Sequence, residues 1–154
     1  MLERENLSGK RVTVVGLGRF GGGIGVTRWL CAQGARVTVT DKASAESLRE
    51  SVARLGESDA ALHLGRHDEA DFTHADLLVV SPAVPPQAPP LQAARRAGVP
   101  ITTEINFFIA RCPATLVGVT GSVGKSTTTA MLGDVLARRF ATHVGGNIGR
   151  SLLE

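Results

Sequence analysis

The chain predicts an α/β fold: a parallel sheet covered by helices on both faces, followed by the truncated start of a second α/β unit. Three observations predict it. Short β-branched runs alternate with helical stretches over the first 110 or so residues. Glycine-rich turns follow two of the strands, one near each end of the chain. Cys112-Pro113 interrupts the alternation before the second of these turns. A length of 154 residues suits one domain and the beginning of another, with expected boundaries at 1–112 and 113–154.

Arg11 to Val15 is a short β-branched run that ends on Gly16, the pattern of a buried strand. A helix should run from Gly22 to Gln33 and stop at Gly34. Arg36 to Thr40 reads as a second strand, closed by Asp41. Ser44 then suits a helix cap, with Ala45, Leu48, Val52 and Leu55 on one face and Gly56 as terminator. Leu62 to Leu64 is a short third strand, and Leu77 to Val80 a fourth that ends in Ser81-Pro82. Five prolines between Pro82 and Pro90 predict a stiff, irregular loop. Leu91 to Ala97 follows as a helix ended by Gly98, then a strand over Val99 to Ile101 and a helix from Glu104 to Arg111. Beyond Pro113, Thr115 to Val119 should be a strand and Ser126 to Arg139 a helix, with Met131, Leu132, Val135 and Leu136 as its buried stripe. This last unit holds too little to bury both faces of its strand, so the chain is expected to be the front part of a longer protein with some apolar surface left open.

Composition narrows the classes. A hydrophobic fraction of 43% supports a packed core, built from aliphatic residues because there is one Trp and no Tyr. No apolar run is long enough to span a bilayer, and the first residues lack a secretory pattern, so a cytoplasmic protein is expected. Cys31 and Cys112 are far apart and suit reduced thiols. The net charge of +3 comes from dispersed basic residues, which predicts no nucleic-acid partner. A monomer is expected. His63, His67, Asp68, Glu69, Asp71 and His74 cluster in sequence, but their spacing matches no metal site and a solvated surface explains them.

The chemistry lies in the two glycine turns. Gly118 to Thr129 reads as a strand entering a glycine turn, then Lys125 and a run of hydroxyls. Glycines let backbone N–H groups curl around a polyphosphate, and the next helix presents its positive end. Lys125 can reach terminal phosphates, and the Ser126 hydroxyl can ligate Mg²⁺. The spacing departs from the usual phosphate loop, since Val119 stands where its first glycine belongs. At the other end, Gly16, Gly18 and Gly21, with Asp41 closing the second strand, match the dinucleotide fingerprint of a Rossmann-like domain. That motif alone serves NAD, FAD or another nucleotide diphosphate equally. Arg19 and Phe20 within it favour an anionic sugar nucleotide over NAD. Asp41 either accepts from a ribose hydroxyl or caps the turn before Ser44.

Four segments together resemble the muramyl ligases: Val14 to Gly18 with Asp41; Val80 to Ala83; Gly98 to Ile101 with Glu104; and Thr120 to Thr127 followed by Gly145 to Gly149. The likeness is strongest to the branch that adds D-glutamate, and it covers roughly the first third of such an enzyme. It implies a cytoplasmic enzyme of peptidoglycan synthesis that uses ATP and Mg²⁺. The γ-phosphoryl group passes to the carboxylate of UDP-N-acetylmuramoyl-L-alanine, and the amine of D-glutamate then displaces phosphate. By position, the resemblance assigns Gly121, Ser122, Val123, Gly124, Lys125, Ser126 and Thr127 to the ATP phosphates, with Ser126 toward Mg²⁺. It assigns Gly18, Arg19, Phe20, Asp41, Lys42, Ser81, Pro82 and Ala83 to the uridine diphosphate, and Asn147 to the muramyl end. Three residues depart from the family pattern: Val123 for Asn, Ala83 for Gly, and Asn106 for an acid. Without the later parts of such an enzyme, this chain is expected to bind the UDP end of the substrate but not to ligate. An NAD-linked oxidoreductase or nucleotide-sensing module is the alternative, and a scaffold whose glycine turns only pack is another.

Overall fold

The computed structural model describes residues 5–18, 22–146 and 151–153. Arg19, Phe20 and Gly21 of the first glycine turn, and Asn147 to Gly149 of the last, lie outside them. The element order is β1 (Arg11–Val15), α1 (Gly22–Ala32), β2 (Arg36–Asp41), α2 (Arg49–Leu55), β3 (Ala61–Leu64), α3 (Glu69–Thr73), β4 (Leu77–Val80), α4 (Pro89–Arg96), β5 (Ile101–Thr102), α5 (Glu104–Arg111) and α6 (Lys125–Ala137). The five strands form one all-parallel sheet in the order β3-β2-β1-β4-β5. This is the expected Rossmann-like arrangement.

The alternation of side chains along each strand divides the core into two layers. Val12 and Val14 of β1, Val37 and Val39 of β2, and Leu77 and Val79 of β4 pack with Ile24 and Leu30 of α1, Leu55 of α2 and Phe107 of α5. On the opposite face Val15, Leu78 and Val80 meet Phe72 of α3 and Leu91 and Ala94 of α4. Thr13 points to that second face, and its hydroxyl donates to the Asp71 carbonyl at 2.7 Å, so burial leaves no orphaned polar group there. At the amino ends of the strands, Arg11 grips the Asp76 carboxylate through its guanidinium at 2.7 Å and its backbone N–H at 2.8 Å, which ties β1 to β4. The Arg11 guanidinium holds the Asp76 carboxyl below its ordinary pKa range. Trp29 of α1 packs at 5.3 Å on Phe107, with the Arg111 guanidinium 5.1 Å from its ring.

Several boundaries differ from the sequence expectation, each for a physical reason. Pro89 and Pro90 belong to the first turn of α4, where a missing N–H costs nothing, rather than to the loop. The ladder of β5 begins after Pro100, which has no N–H to give; its carbonyl instead accepts from Leu78 N at 2.9 Å. Ser44 does cap a turn, accepting from Ser47 N at 3.3 Å, but α2 starts only at Arg49. The pattern does not single out α3, a five-residue helix capped by the Asp68 carboxylate on Ala70 N at 3.0 Å.

Two expectations for the last unit do not hold. Thr115 to Val119 has no ladder partner among the described residues and forms no strand. The stripe on α6 is not buried: Met131 and Val135 are each 64% exposed. A strand needs a neighbour and an apolar stripe needs a sheet beneath it, and the described residues supply neither. No helix among them is long and apolar enough to cross a membrane.

Candidate functional site

The carboxyl ends of β1, β2 and β4 share one edge of the sheet, with β1 in the middle. Strand order reverses at β1, with β2 and β3 to one side and β4 and β5 to the other, and the carboxyl end of a strand at such a switch point is where open α/β sheets take ligands. Gly16 occupies that spot with φ +93°, and a Cβ on it would stand 3.1 Å from Ser81 Cβ. Gly18 has φ +63°, again a conformation that favours glycine. Leu17 between them is fully buried and anchors the turn in the core.

Hydrogen bonds hold the turn from three sides. Gly16 N donates to the Thr40 carbonyl at 2.8 Å. Leu17 N and Gly18 N both donate to Asp41 Oδ2, at 2.9 and 3.2 Å, while Ala43 N donates to Oδ1 at 2.9 Å. The Gly18 carbonyl accepts from Ser51 Oγ of α2 at 2.7 Å. Of the residues expected to hold uridine diphosphate, Gly18 and Asp41 are thus in direct contact. Lys42 follows Asp41 and is exposed. Ser81 N donates to the Val15 carbonyl at 3.0 Å, and its hydroxyl accepts from Ala83 N at 3.4 Å. This short turn sets Ser81, Pro82 and Ala83 beside Gly16, with Pro82 and Ala83 exposed.

Three residues at this edge, Gly23, Ser51 and His67, carried no site signal in the sequence, and a fourth, Glu104, was marked there only as a helix start and by the resemblance. Gly23 is a packing glycine: a Cβ there would lie 2.4 Å from the Leu17 carbonyl oxygen and 2.5 Å from that of Gly16. Ser51 braces Gly18 from α2. His67 joins its Nδ1 to Thr40 Oγ1 at 2.8 Å and sets its ring edge-on to Phe72 at 5.3 Å. Burial, followed by the nearby Lys42 charge, pushes the His67 pKa down, against the opposing pull of Asp41 and Asp71. Glu104 accepts from Ser151 Oγ, and its Oε2 would lie 2.6 Å from a Cβ on Gly22 at the start of α1. For Gly23 the available signal was a third consecutive glycine where a helix must approach the turn. For Ser51 and His67 there was none, because their partners are remote in sequence.

The histidine and acid cluster is engaged in local contacts. His63 pairs with Asp71 at 2.8 Å, His67 with Thr40, and Asp68 with the α3 amide. Among the described residues no three such side chains gather as a metal-holding group.

The lysine-bearing turn is a separate feature. Gly121 and Gly124 have φ of +149° and +81°. Lys125 Nζ folds back to donate to the carbonyls of Gly121 at 2.5 Å and Ser122 at 3.3 Å. The first intrahelical bond of α6 is Thr128 N to the Gly124 carbonyl at 2.9 Å. The N–H groups of Lys125, Ser126 and Thr127 therefore have no acceptor within the helix. Residues 121 to 127 are all exposed, Val123 to 93%.

A family model described as Mur ligase MurD-like, N-terminal domain, matches residues 10–103, which is most of the chain and all five strands. The chain belongs to this Mur ligase family. A protein of Anaeromyxobacter dehalogenans named UDP-N-acetylmuramoylalanine–D-glutamate ligase is 49% identical over 151 residues, and one of Roseiflexus sp. with the same name is 46% identical over 149. In each case the match takes in 96% of this chain and 32% of the relative, so the chain spans about a third of their length. Among solved structures, the UDP-N-acetylmuramate-alanine ligase MurC of Thermotoga maritima matches with a TM-score of 0.54 at 27% identity, over 83% of this chain and 29% of that one. A pseudomurein peptide ligase type C of Methanothermus fervidus gives 0.53 at 25%, over 84% and 26%.

Proposed function

We propose that this chain is the N-terminal part of a cytoplasmic, ATP-dependent ligase of peptidoglycan synthesis that joins D-glutamate to UDP-N-acetylmuramoyl-L-alanine. Residues 1–112 bind the uridine diphosphate end of that substrate, and 113–154 begin the ATP-binding unit. The observation that carries this reading is that the match to D-glutamate ligases runs through 96% of the chain and so takes in both glycine turns.

The geometry supports a division of labour. At the carboxyl edge of the sheet, the Gly16–Gly18 turn, Lys42 and the Ser81–Ala83 turn lie at the switch point of the strand order, which supports a nucleotide diphosphate site there with the phosphates toward the start of α1. Arg19 and Phe20 of the same turn, and Asn147 for the muramyl end, complete the proposed substrate contacts.

The residues of the second turn fit ATP and Mg²⁺ in kind. Three amides without an acceptor in the helix, an ammonium and the Ser126 hydroxyl, a hard oxygen donor, all belong to residues 121–127. When bound, ATP supplies the phosphoryl group that activates the carboxylate. Lys125 exchanges two neutral carbonyls for charged phosphate oxygens, which form stronger hydrogen bonds. Gly121, Ser122, Val123, Gly124 and Thr127 shape the backbone cradle around it.

Calorimetric titration of the chain with UDP and with NADH tests the reading. Saturable UDP binding with no NADH response is expected. Tight NADH binding with no response to UDP would overturn it in favour of an oxidoreductase-type cofactor domain.

A further inference from the structure

We infer that Asp41 is a positioning residue for the glycine turn rather than the ribose acceptor that the dinucleotide fingerprint makes of an acid at this place. A carboxylate offers about four lone-pair sites. In this chain three are taken by backbone N–H groups: Leu17 and Gly18 on Oδ2, and Ala43 on Oδ1. A single site on Oδ1 remains.

The consequences run through the whole turn. With Gly16 N on the Thr40 carbonyl, every amide from Gly16 to Gly18 already has an acceptor inside the protein. Those amides are the ones that the glycine spacing nominates for pyrophosphate. Asp41 takes two of them, so an incoming anion must use donors later in the chain, toward the start of α1. The negative charge of Asp41 thereby fixes Gly18 at φ +63°, and Ser51 holds its carbonyl from the other side. Asp41 thus links the end of β2 to the turn after β1 and fixes that turn at the carboxyl edge of the sheet.

The substrate arm of the test rests on the UDP reading above; the exchange arm does not. Hydrogen exchange on the intact chain should show the Leu17 and Gly18 amides protected, and Asp41→Ala should speed their exchange by at least about tenfold while Val12 and Val14 stay slow. If Asp41→Ala folds poorly, Asp41→Asn keeps the volume and serves instead. Its amide can satisfy the Ala43 side or the turn side, not both, so exchange should rise on one of them. In parallel, wild type should bind UDP and 2′,3′-dideoxy-UDP within about twofold of one another, while Asp41→Ala weakens both by about tenfold. Unchanged exchange at Leu17 and Gly18 would overturn the inference. So would a dideoxy-UDP loss on wild type equal to the loss from Asp41→Ala, with nothing added when the two are combined. If UDP fails to bind wild type yet the two amides are released by the substitution, the positioning role stands and the substrate reading falls.

Discussion

A methyl group at Gly23 would meet two carbonyl oxygens of the glycine turn, at 2.4 and 2.5 Å, and both belong to backbone that cannot swing away. Gly23→Ala should therefore cost about 1–3 kcal/mol in a denaturant melt, as overpacking does, and should weaken UDP binding by displacing the turn. His67 gives the pH dependence. Its folded pKa lies below the ordinary imidazole value, so the folded state resists the proton that the unfolded chain accepts. The sign follows: stability is unaffected above about pH 6.5 and declines as pH falls from there through the lower folded value. Lys42 adds to the depression, whereas Asp41 and Asp71 oppose it. Thermal melts from pH 7.5 to 5 should show this decline, and His67→Gln should flatten it. At this scale the sequence was legible where chemistry is local. Gly16 and Gly18 reveal themselves by a strand that ends in glycine. Asp41 was legible as an acid at a strand end, but not as a partner of amides 23 and 24 positions earlier. Ser51 bonding Gly18 across 33 positions left no local pattern at all.

Elements follow hydrophobic period closely. β1, β4 and α5 appear over the residues that their patterns nominate, since each has an uninterrupted periodic run between clear stops. Proline is the exception: its loop signal extends through Pro89 and Pro90, yet the first turn of a helix accepts both. The register of α6 was readable but its burial was not, because burial depends on what lies opposite. Leu30 and Met131 make the contrast measurable. Leu30 is completely buried between α1 and the sheet, so Leu30→Ala should lose about 2–5 kcal/mol of unfolding free energy. Met131→Gln and Val135→Gln, on residues each 64% exposed, should stay within about 0.5 kcal/mol of wild type.

Across the whole molecule, the sheet order places the first glycine turn at the switch point of the carboxyl edge, and the lysine-bearing turn opens a different helix. Two anion sites that can be removed one at a time are therefore expected. Lys125→Ala should abolish ATP binding and leave UDP affinity unchanged in calorimetry, since the Lys125 contacts stay within its own turn. The sharpest check is a residue-resolved NMR titration of this chain. UDP should shift the amides of Gly18, Lys42 and Ala83 and leave Gly121 to Thr127 still, and Mg-ATP should do the reverse. A single set of amides responding to both ligands, or silence at the sheet edge when UDP is added, would rule out two separate sites.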